Sequence, residues 1–328
     1  MKCRVCRGPA VIDVPRHNAN FCAEHFLRLC RDQTRKAIEQ FAMIAPGERV
    51  LVAVSGGKDS LALWQLLHEL GHEADGLYIG LGIGSGPKGR PSGDVGYSDV
   101  SGAHVRTFAA ERGYRLIEID VREEHGFDIP TAAAVTRRVP CSSCGLTKRH
   151  LFDRAALDGG YDVVATGHNL DDEAAVLFGN VLHWDTDYLA RQAPVLPAGN
   201  GFPRKVKPLV RLAERETAAY CVLAGIDYQV EECPLAAGNR HLGYKDLLEQ
   251  AERRSPGTKH AFYFGFLERA AELLRAGAAL RAEDLGRCTS CGAPTAEGTC
   301  AFCRLQTRVG AAAPAGPVEV PTPVMVRR

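Results

Sequence analysis

Residues 50–60, VLVAVSGGKDS, decide the fold of this chain. The first five residues are apolar and favour a strand, and leucines at helical spacing follow Ser60. The stretch therefore predicts a strand, a tight glycine turn and a helix. The two glycines let the backbone approach an anion closely, and the N–H groups of the turn and the helix N-terminus would face that anion. Lys58 adds a cation, and Ser55 adds a hydroxyl donor.

This turn is not the P-loop of kinases and GTPases, because it lacks the longer spacing between the first glycine and a Gly-Lys-Ser/Thr ending. The alternative interpretation is an ordinary glycine turn between a strand and a helix. Six residues of fitting type in the right context favour an anion site instead.

The composition is ordinary for a globular protein. The chain has 328 residues, 45% hydrophobic and 24% charged, so it can hold a large core with one or two small modules. A net charge of +1 excludes a global basic field, although 40 Lys and Arg allow a local basic face. An apolar run of about 18 residues and the apolar core of a secretory signal are both missing. We therefore expect a cytoplasmic protein with no membrane span.

Cysteine spacing predicts two zinc sites. Twelve cysteines in a cytoplasmic chain are more typical of metal binding or chemistry than of disulfides. Each site combines two pairs of ligands with two residues between the members of a pair, which suits tetrahedral zinc. The first set is Cys3, Cys6, Cys22 and His25, and the second set is Cys288, Cys291, Cys300 and Cys303.

The chain between these sets alternates strand-like and helix-like segments. This alternation predicts an α/β fold with a doubly wound, mainly parallel sheet, whose ligands lie at the carboxyl ends of the strands. Strands are expected at residues 74–81, 115–120, 161–166, 205–209 and 227–230, and helices at 31–45, 99–112, 146–157, from after residue 172 to about 182, and 214–223.

A central cysteine pair precedes the predicted helix at 146–157. Cys141 and Cys144 fit a zinc half-site, a redox pair or a pair of iron–sulfur ligands. The helix N-terminus and nearby basic residues such as Lys148 predict lowered thiol pKa values. Cys233 follows the strand expected at 227–230, so it is a candidate to join the pair.

Two aspartates follow the strand expected at 161–166. Asp171 and Asp172 would hold magnesium beside a phosphate site, or would only cap the next helix. Tyr78 and Ile79, at the end of another strand, are candidates to flank an adenine.

Three further segments complete the chain. Residues 239–266 interleave basic and aromatic side chains, which favours contact with RNA, although a solvated helical pair is nearly as consistent. The glycine-rich loop at 80–96, with Lys88 and Arg90, is a lid, an RNA contact or a solvated insertion. We expect a disordered tail from Gly310. The predicted domains are residues 1–30 (zinc), 31–235 (catalytic), 236–283 (helical, basic), 284–306 (zinc) and 307–328 (tail).

The SGGKDS turn resembles the pyrophosphate loop of PP-loop (N-type) ATP-pyrophosphatases, which cut ATP between its α- and β-phosphates and adenylate a substrate oxygen. Together with the central CxxC, a later lone cysteine and two zinc sets, it resembles the TtcA/TtuA family of tRNA 2-thiolation enzymes. The segments PCSSCGLTKRH, TGHNLDDEA, VKPL, ECP and SPGTK are similar to those of the 2-thiouridine synthetase branch. The cytidine branch lacks the zinc framing.

The resemblance implies roles for individual residues. Cys141, Cys144 and Cys233 would hold a 4Fe–4S cluster with one iron open for sulfide. Catalysis would use these cysteines with Lys148, Asp172 and Asp59. The residues around ATP, with its Mg²⁺, would be Ala53, Ser55, Gly56, Gly57, Lys58, Asp59, Ser60, Ile79, Gly167 and Asp172.

The resemblance also implies partners. These are tRNA, a ubiquitin-like thiocarboxylate carrier or sulfide as the sulfur donor, and a second copy of the chain. T-loop uridine is the preferred target. The alternatives are thiolation of a wobble uridine or cytidine, and a persulfide on Cys141 or Cys144 without iron. An amidotransferase-like or lysidine-type ligase and a non-catalytic RNA-binding module are the rival functions.

Overall fold

The fold is a twisted α/β sheet with a small module at each end of the chain. The computed structural model describes residues 1–84, 95–236, 240–279 and 285–312. The strands are β1 (Ile12–Val14), β2 (Ala19–Phe21), β3 (Arg49–Val54), β4 (Glu73–Gly80), β5 (Leu116–Asp120), β6 (Val163–Thr166), β7 (Val195–Leu196), β8 (Arg204–Val206), β9 (Gly286–Arg287) and β10 (Pro294–Thr295).

Helices surround this framework. They are α1 (Ala23–Gln40), α2 (Lys58–Glu69), α3 (Tyr97–Arg112), α4 (Val121–His125), α5 (Ile129–Thr136), α6 (Pro140–Asp158), α7 (Leu170–Leu182), α8 (Thr186–Arg191), α9 (Glu214–Leu223), α10 (Arg240–Arg254), α11 (Thr258–Arg269), α12 (Ala271–Ala279) and α13 (Ala301–Ala311), with short 3₁₀ turns at Pro15–His17 and Pro208–Arg211.

The central sheet has six strands in the order β5-β4-β3-β6-β8-β7, and only the edge strand β7 runs antiparallel to its neighbour. This confirms the predicted doubly wound, mainly parallel sheet. The chain moves outward from β3 to β5 and then returns to β6 on the other side of β3. The switch point therefore lies between β3 and β6, where such sheets bind ligands.

Alternation along β3 divides the core into two layers. Val50, Val52 and Val54 face a cluster that includes α1, α2 and the hairpin β1–β2. Leu51 faces the opposite cluster, which includes α5, α6 and α13. Successive strand residues point to opposite faces, so the two cysteine-rich end modules pack on opposite sides of the sheet.

Two helices begin earlier than expected. The first helix begins at Ala23 and is continuous across residue 30, where the sequence had predicted a domain boundary. The helix expected at 146–157 begins at Pro140, so the central cysteine pair lies inside its first turns rather than before it. Proline is well suited to the first helical position, because that N–H has no helical partner.

Two strand predictions were wrong in part or in full. The strand expected at 205–209 ends at Val206, because Pro208 lacks an N–H and begins a 3₁₀ turn. Residues 227–230 form no strand. Cys233 therefore lies on a loop between α9 and α10 instead of at the end of a strand.

Several predicted features reach beyond the described residues. Most of the glycine-rich loop, including Lys88 and Arg90, and the tail from residue 313 lie outside them. Gly310 was expected to open that tail, but α13 continues through it to Ala311. Within the described ranges, no helix is both long and apolar enough to cross a membrane.

Trp64 locks α2 onto the sheet, and Gly76 makes room for it. The indole is fully buried, and its Nε1–H donates to the Ala74 carbonyl at 2.9 Å. A Cβ on Gly76 would lie 2.5 Å from the ring. We predict that Gly76→Ala lowers the free energy of unfolding by about 1–3 kcal/mol, the usual cost of overpacking.

The matched control is Gly265→Ala on α11, where an added Cβ meets nothing within 4 Å. Its stability should stay the same or rise by up to about 1 kcal/mol, because alanine favours helix. Equal stabilities in urea for the two variants would contradict this description of the core.

Candidate active site and metal centres

The turn between β3 and α2 is held by its own serines. The Ser55 N–H donates to Ser60 Oγ at 3.0 Å, and the Ser60 hydroxyl donates to the Gly57 carbonyl at 2.9 Å. Gly56 has φ +81°, and a Cβ there would lie 2.5 Å from the Ser101 carbonyl oxygen. Only glycine fits this position, which brings the turn against α3.

The end of β6 approaches the same turn. A Cβ on Gly167 would lie 2.9 Å from the Ser60 backbone nitrogen and 3.0 Å from the Asp59 carbonyl carbon. The two loops of the switch point are therefore in direct contact. This brings Gly167 together with the turn residues.

Lys58 lies between carboxylates at the start of α2. Its Nζ is 3.0 Å from Asp59 Oδ2 and 2.8 Å from Glu214 Oε1. The second oxygen of Glu214 pairs with Lys245 Nζ at 2.9 Å. Burial alone would raise the pKa of Glu214, but hydrogen bonds and charges from the two lysines lower it to about 2. Burial opposes the charge on Lys58, yet Asp59 and Glu214 raise its pKa above the ordinary value. Glu214 and Lys58 therefore form an ionised pair at this site.

Asp172 both caps α7 and joins this cluster. Its carboxylate accepts from the Asn169 backbone N–H at 3.0 Å, and it pairs with Lys245 Nζ at 2.6 Å. The interpretation that Asp172 only caps the helix therefore accounts for one of these two contacts. The same residue also lies in the charged site.

Asp171 points elsewhere. It is buried, accepts from the Glu214 backbone N–H at 2.8 Å, and binds Lys259 Nζ at 2.5 Å. Burial raises its pKa although Lys259 opposes that change. Lys259 was predicted to contact RNA, but its Nζ is engaged with Asp171 and Glu249.

The other residues predicted to surround ATP differ in how far their side chains are exposed. Asp59 accepts from Asn169 Nδ2 at 3.1 Å and from the Thr217 hydroxyl at 2.5 Å, which orients it beside the turn. Ala53 is half-buried near the end of β3. Ile79 is only 4% exposed and belongs to the core, so its side chain is not open to a ligand in this structure.

The three central cysteines converge from two segments. Cys141 and Cys144 lie on the first turns of α6, and Cys233 lies on the loop after α9. The Cys141 thiol approaches the Leu235 carbonyl at 3.8 Å, and Cys144 and Cys233 both pack on the second core cluster. All three thiols are free.

The predicted lowering of the thiol pKa was wrong for Cys141. Loss of solvent raises the pKa of both Cys141 and Cys233, and the positive charge of Lys148 offsets this only in part. Because its charge acts on both thiols, Lys148 lies near Cys141 and Cys233. Helix position alone therefore does not make Cys141 a thiolate.

The loop that carries Cys233 is attached to the glycine turn. The Gln229 N–H donates to the Gly56 carbonyl at 2.8 Å. Burial is the main cause of the raised pKa of Tyr97, at the start of α3, and the nearby charges of Cys233 and Cys144 raise it further. Ser101, one helical turn further along α3, contacts Gly56. Two short connections thus join the thiols to the candidate phosphate site.

Two four-residue sets have the geometry of a metal site. In each, the candidate ligand atoms all lie within 4.8 Å of one another. The sets are Cys3, Cys6, Cys22 and His25, and Cys288, Cys291, Cys300 and Cys303.

Local hydrogen bonds favour the thiolate of one cysteine in each set. The Cys300 N–H donates to Cys288 Sγ at 3.2 Å and is the main reason that the pKa of Cys288 is lowered to about 6. Burial raises the pKa of Cys3, but backbone donors, including the Cys6 N–H, outweigh it and lower the pKa to about 6. Thiolate sulfur is the form that binds zinc.

The sequence did not indicate three residues that complete the site. Glu214 and Thr217 lie at the start of α9, and Lys245 was predicted only as an RNA contact. They come from segments far apart along the chain, so no local motif connects them with the turn. In the sequence, the only indication of these residues' role was the predicted start of a helix at Glu214.

The fold and the glycine turn define an α/β protein of the PP-loop ATP-pyrophosphatase type. The U34-tRNA thiolase NcsA from Methanococcus maripaludis, solved with its 4Fe-4S cluster, has the same fold. It matches with a TM-score of 0.75 at 24% identity, over 94% of this chain and 96% of its own.

Sequence comparisons identify the family. The model for the N-terminal LIM domain of 2-thiouridine synthetase TtuA matches residues 2–27. A tRNA-5-methyluridine(54) 2-sulfurtransferase from Thermus thermophilus is 46% identical over 93% of this chain and 91% of the relative. Another from Pyrococcus horikoshii is 39% identical over 93% of each chain. The chain therefore belongs to the tRNA-5-methyluridine(54) 2-sulfurtransferase family, which confirms the resemblance noted from its motifs.

The ionised Glu214 gives a prediction for pH. Because its folded-state pKa is lowered from 4.5 to about 2, its contribution to stability is present above pH 4.5 and is lost as the pH falls towards 2. The difference in the free energy of unfolding between the unaltered protein and Glu214→Gln should therefore shrink across this range. Urea unfolding at a series of pH values measures it.

Glu268→Gln, at an exposed position on α11, is the matched control for loss of a carboxylate. A difference for Glu214→Gln that stays constant from about pH 5 to about pH 3 would contradict the assigned ion pairs.

Proposed function

We propose that this protein is an ATP-dependent tRNA 2-thiolation enzyme that replaces the C2 oxygen of the T-loop uridine with sulfur. One observation carries the proposal. The loop bearing Cys233 is hydrogen-bonded to the glycine turn through Gln229 and Gly56. An activating site and a sulfur site thus share one end of the sheet. The relatives in this family are named for position 54, which favours the T-loop over the wobble position and over cytidine.

The turn would hold the phosphates of ATP. Its N–H groups and the N-terminus of α2 offer donors and positive potential, and Lys58 supplies a charge. The Glu214 carboxylate pairs with Lys58 Nζ at 2.8 Å. A triphosphate would compete with that carboxylate for the lysine. The carboxylates of Asp59 and Asp172, whose oxygens suit this hard cation, would hold magnesium, which would screen the phosphate charge.

Activation makes the uridine oxygen a leaving group. The C2 oxygen attacks the α-phosphorus, the bond to the bridging oxygen breaks, and pyrophosphate leaves. A sulfur nucleophile then bonds to C2, and AMP leaves with the original oxygen. Lys148 and Asp172 are the side chains that we assign to orient these groups. Cys144 and Cys233 are half-buried against the second core cluster, and this packing would limit the access of water, which competes with sulfur.

The central thiols suit an iron–sulfur cluster. Cys141, Cys144 and Cys233 are three free, partly desolvated sulfur donors from two segments, and thiolate sulfur is the usual ligand of such clusters. When bound there, a 4Fe–4S cluster would supply an iron with an open position for the sulfur donor. Lys148 would offset the negative charge of the three thiolates.

The end modules would each hold one structural zinc ion, because their donor sets are compact and rich in thiols. We propose that the zinc ions fix the two modules on opposite faces of the sheet. The helical segment after residue 240 would contact tRNA. Sulfur would arrive as sulfide or as the thiocarboxylate of a ubiquitin-like carrier, and the enzyme would act in the cytoplasm as a homodimer.

Removing a central thiol tests the sulfur site. We predict that Cys141→Ala, Cys144→Ala and Cys233→Ala each lower thiolation by at least about a hundredfold, since loss of one ligand disables the site. Mass spectrometry of nucleosides from digested tRNA measures 2-thiolated uridine. Cys30→Ala is the matched control, because this thiol is fully buried in the other core. Full activity in all three variants would contradict the assignment of these cysteines to the sulfur site.

Metal analysis of protein purified without oxygen separates a cluster from a persulfide. About four irons and about two zinc ions per chain are expected, with the iron lost in Cys233→Ala. Active protein that contains no iron would favour the persulfide on Cys141 or Cys144.

A further inference from the structure

A second cavity lies along α7 and is not used by the chemistry described above. It has a volume of about 580 Å³ and lies between α6, α7, α8 and α10. Its walls include Arg149, Gly179, Tyr188, Arg240 and Tyr244. This volume is in the range of small-molecule and nucleotide pockets.

The cavity is connected to the active site by one face of a helix. Asp172, Val176 and Gly179 follow one another at helical spacing, so they share a face of α7. Val176 and Gly179 line the cavity, and Asp172 belongs to the charged site. At 1.5 Å per residue the two places are about 10 Å apart. That span is too long for one base to occupy both, but it suits adjacent nucleotides of one strand.

Two cations at the rim are available. Arg149 and Arg240 are exposed, and among the described residues neither guanidinium makes a hydrogen bond or a salt bridge. They come from opposite walls, α6 and α10. Among the described residues that line the cavity, only Asp185 has a carboxylate. This carboxylate accepts a hydrogen bond from the Tyr188 N–H at 3.3 Å and caps α8. The rim therefore has a net positive charge suited to phosphate.

Aromatic rings face the same space. The Tyr244 ring packs edge-on against Phe178, with centroids 5.7 Å apart. A Cβ on Gly179 would lie 2.8 Å from this ring, so the glycine makes room for it. Tyr188 is 59% exposed on the far wall. These rings lie where an unstacked base can be covered on its faces.

A third ring stands at the corner after α7. Trp184 is 76% exposed and has a backbone φ of 49°, a left-handed conformation that is unfavourable for a bulky residue. Backbone strain of this kind is concentrated at functional sites. The corner thus presents a large, rigid ring next to the cavity.

We propose that this cavity binds an unstacked nucleotide of the tRNA loop, one that flanks the uridine being thiolated. Tyr244 and Tyr188 cover its base, and Arg149 and Arg240 hold its phosphates. The inference rests on the proposed function, since it assigns the flanking part of that substrate. The pocket fixes the position of the strand, so that the reacting uridine reaches Asp172 and the thiols.

The test measures binding of an unmodified tRNA transcript to the full-length protein by fluorescence anisotropy at several salt concentrations. Arg149→Gln combined with Arg240→Gln should weaken binding about tenfold or more. The slope of log affinity against log salt should fall by about one for each arginine removed. Both side chains are exposed, so the fold should be retained.

The rings are tested separately from the charges. Tyr244→Leu should weaken binding by about five- to a hundredfold, the usual effect of losing a stacked base, whereas Tyr244→Phe keeps the ring and should bind normally. In thiolation assays Tyr244→Leu should raise KM for tRNA more than it lowers kcat. Arg28→Gln, an exposed arginine on α1, is the matched control.

The outcomes are distinguishable. If the unaltered protein neither binds nor thiolates tRNA, the proposed function fails and the pocket assignment fails with it. If it does both, but the double arginine variant and Tyr244→Leu bind tRNA with unaltered affinity, only the pocket assignment is overturned. Unaltered tRNA affinity with a changed sedimentation mass would also overturn it, because the face would then be a contact between copies.

Discussion

The ionic cluster around Lys58 is the interaction on which the site depends. A strand, a turn and a helix place this lysine at the switch point of the sheet, but its position is fixed by Asp59 and Glu214. Glu214 also holds Lys245, which in turn holds Asp172. Two lysines and three carboxylates from four segments are therefore joined in one network of ion pairs. Under the proposed function, a triphosphate would compete with these carboxylates for the two lysines.

This arrangement connects the candidate phosphate site with the helical segment after residue 240. Lys245 lies on α10, one turn after His241 and next to Tyr244, which lines the second cavity. A ligand that moves α10 would thus move a lysine that contacts Asp172. The cysteine loop is coupled in a similar way, because Gln229 is bonded to Gly56. Under the proposed function, activation of the substrate and delivery of sulfur would therefore depend on the same few elements around β3.

Local patterns predicted much of this structure. The turn at 55–60, the parallel sheet and both compact metal sets follow from short motifs, because each is formed by residues close in sequence or by paired spacings. Predictions failed where tertiary packing decides. No motif links Glu214 to Lys58, and burial reversed the expected pKa shift of Cys141. The extended segment before Cys233 was mistaken for a strand, since extended residues anchored to a turn have the same composition.

The most direct test of the central claim follows the uridine oxygen. A tRNA carrying heavy oxygen at C2 of the T-loop uridine is incubated with the enzyme, ATP and sulfide without oxygen, and the AMP is analysed by mass spectrometry. Adenylation of that oxygen predicts that the label appears in AMP in proportion to the 2-thiouridine formed. Thiolated tRNA together with unlabelled AMP would contradict the account, because the oxygen would then have left without being activated at the glycine turn.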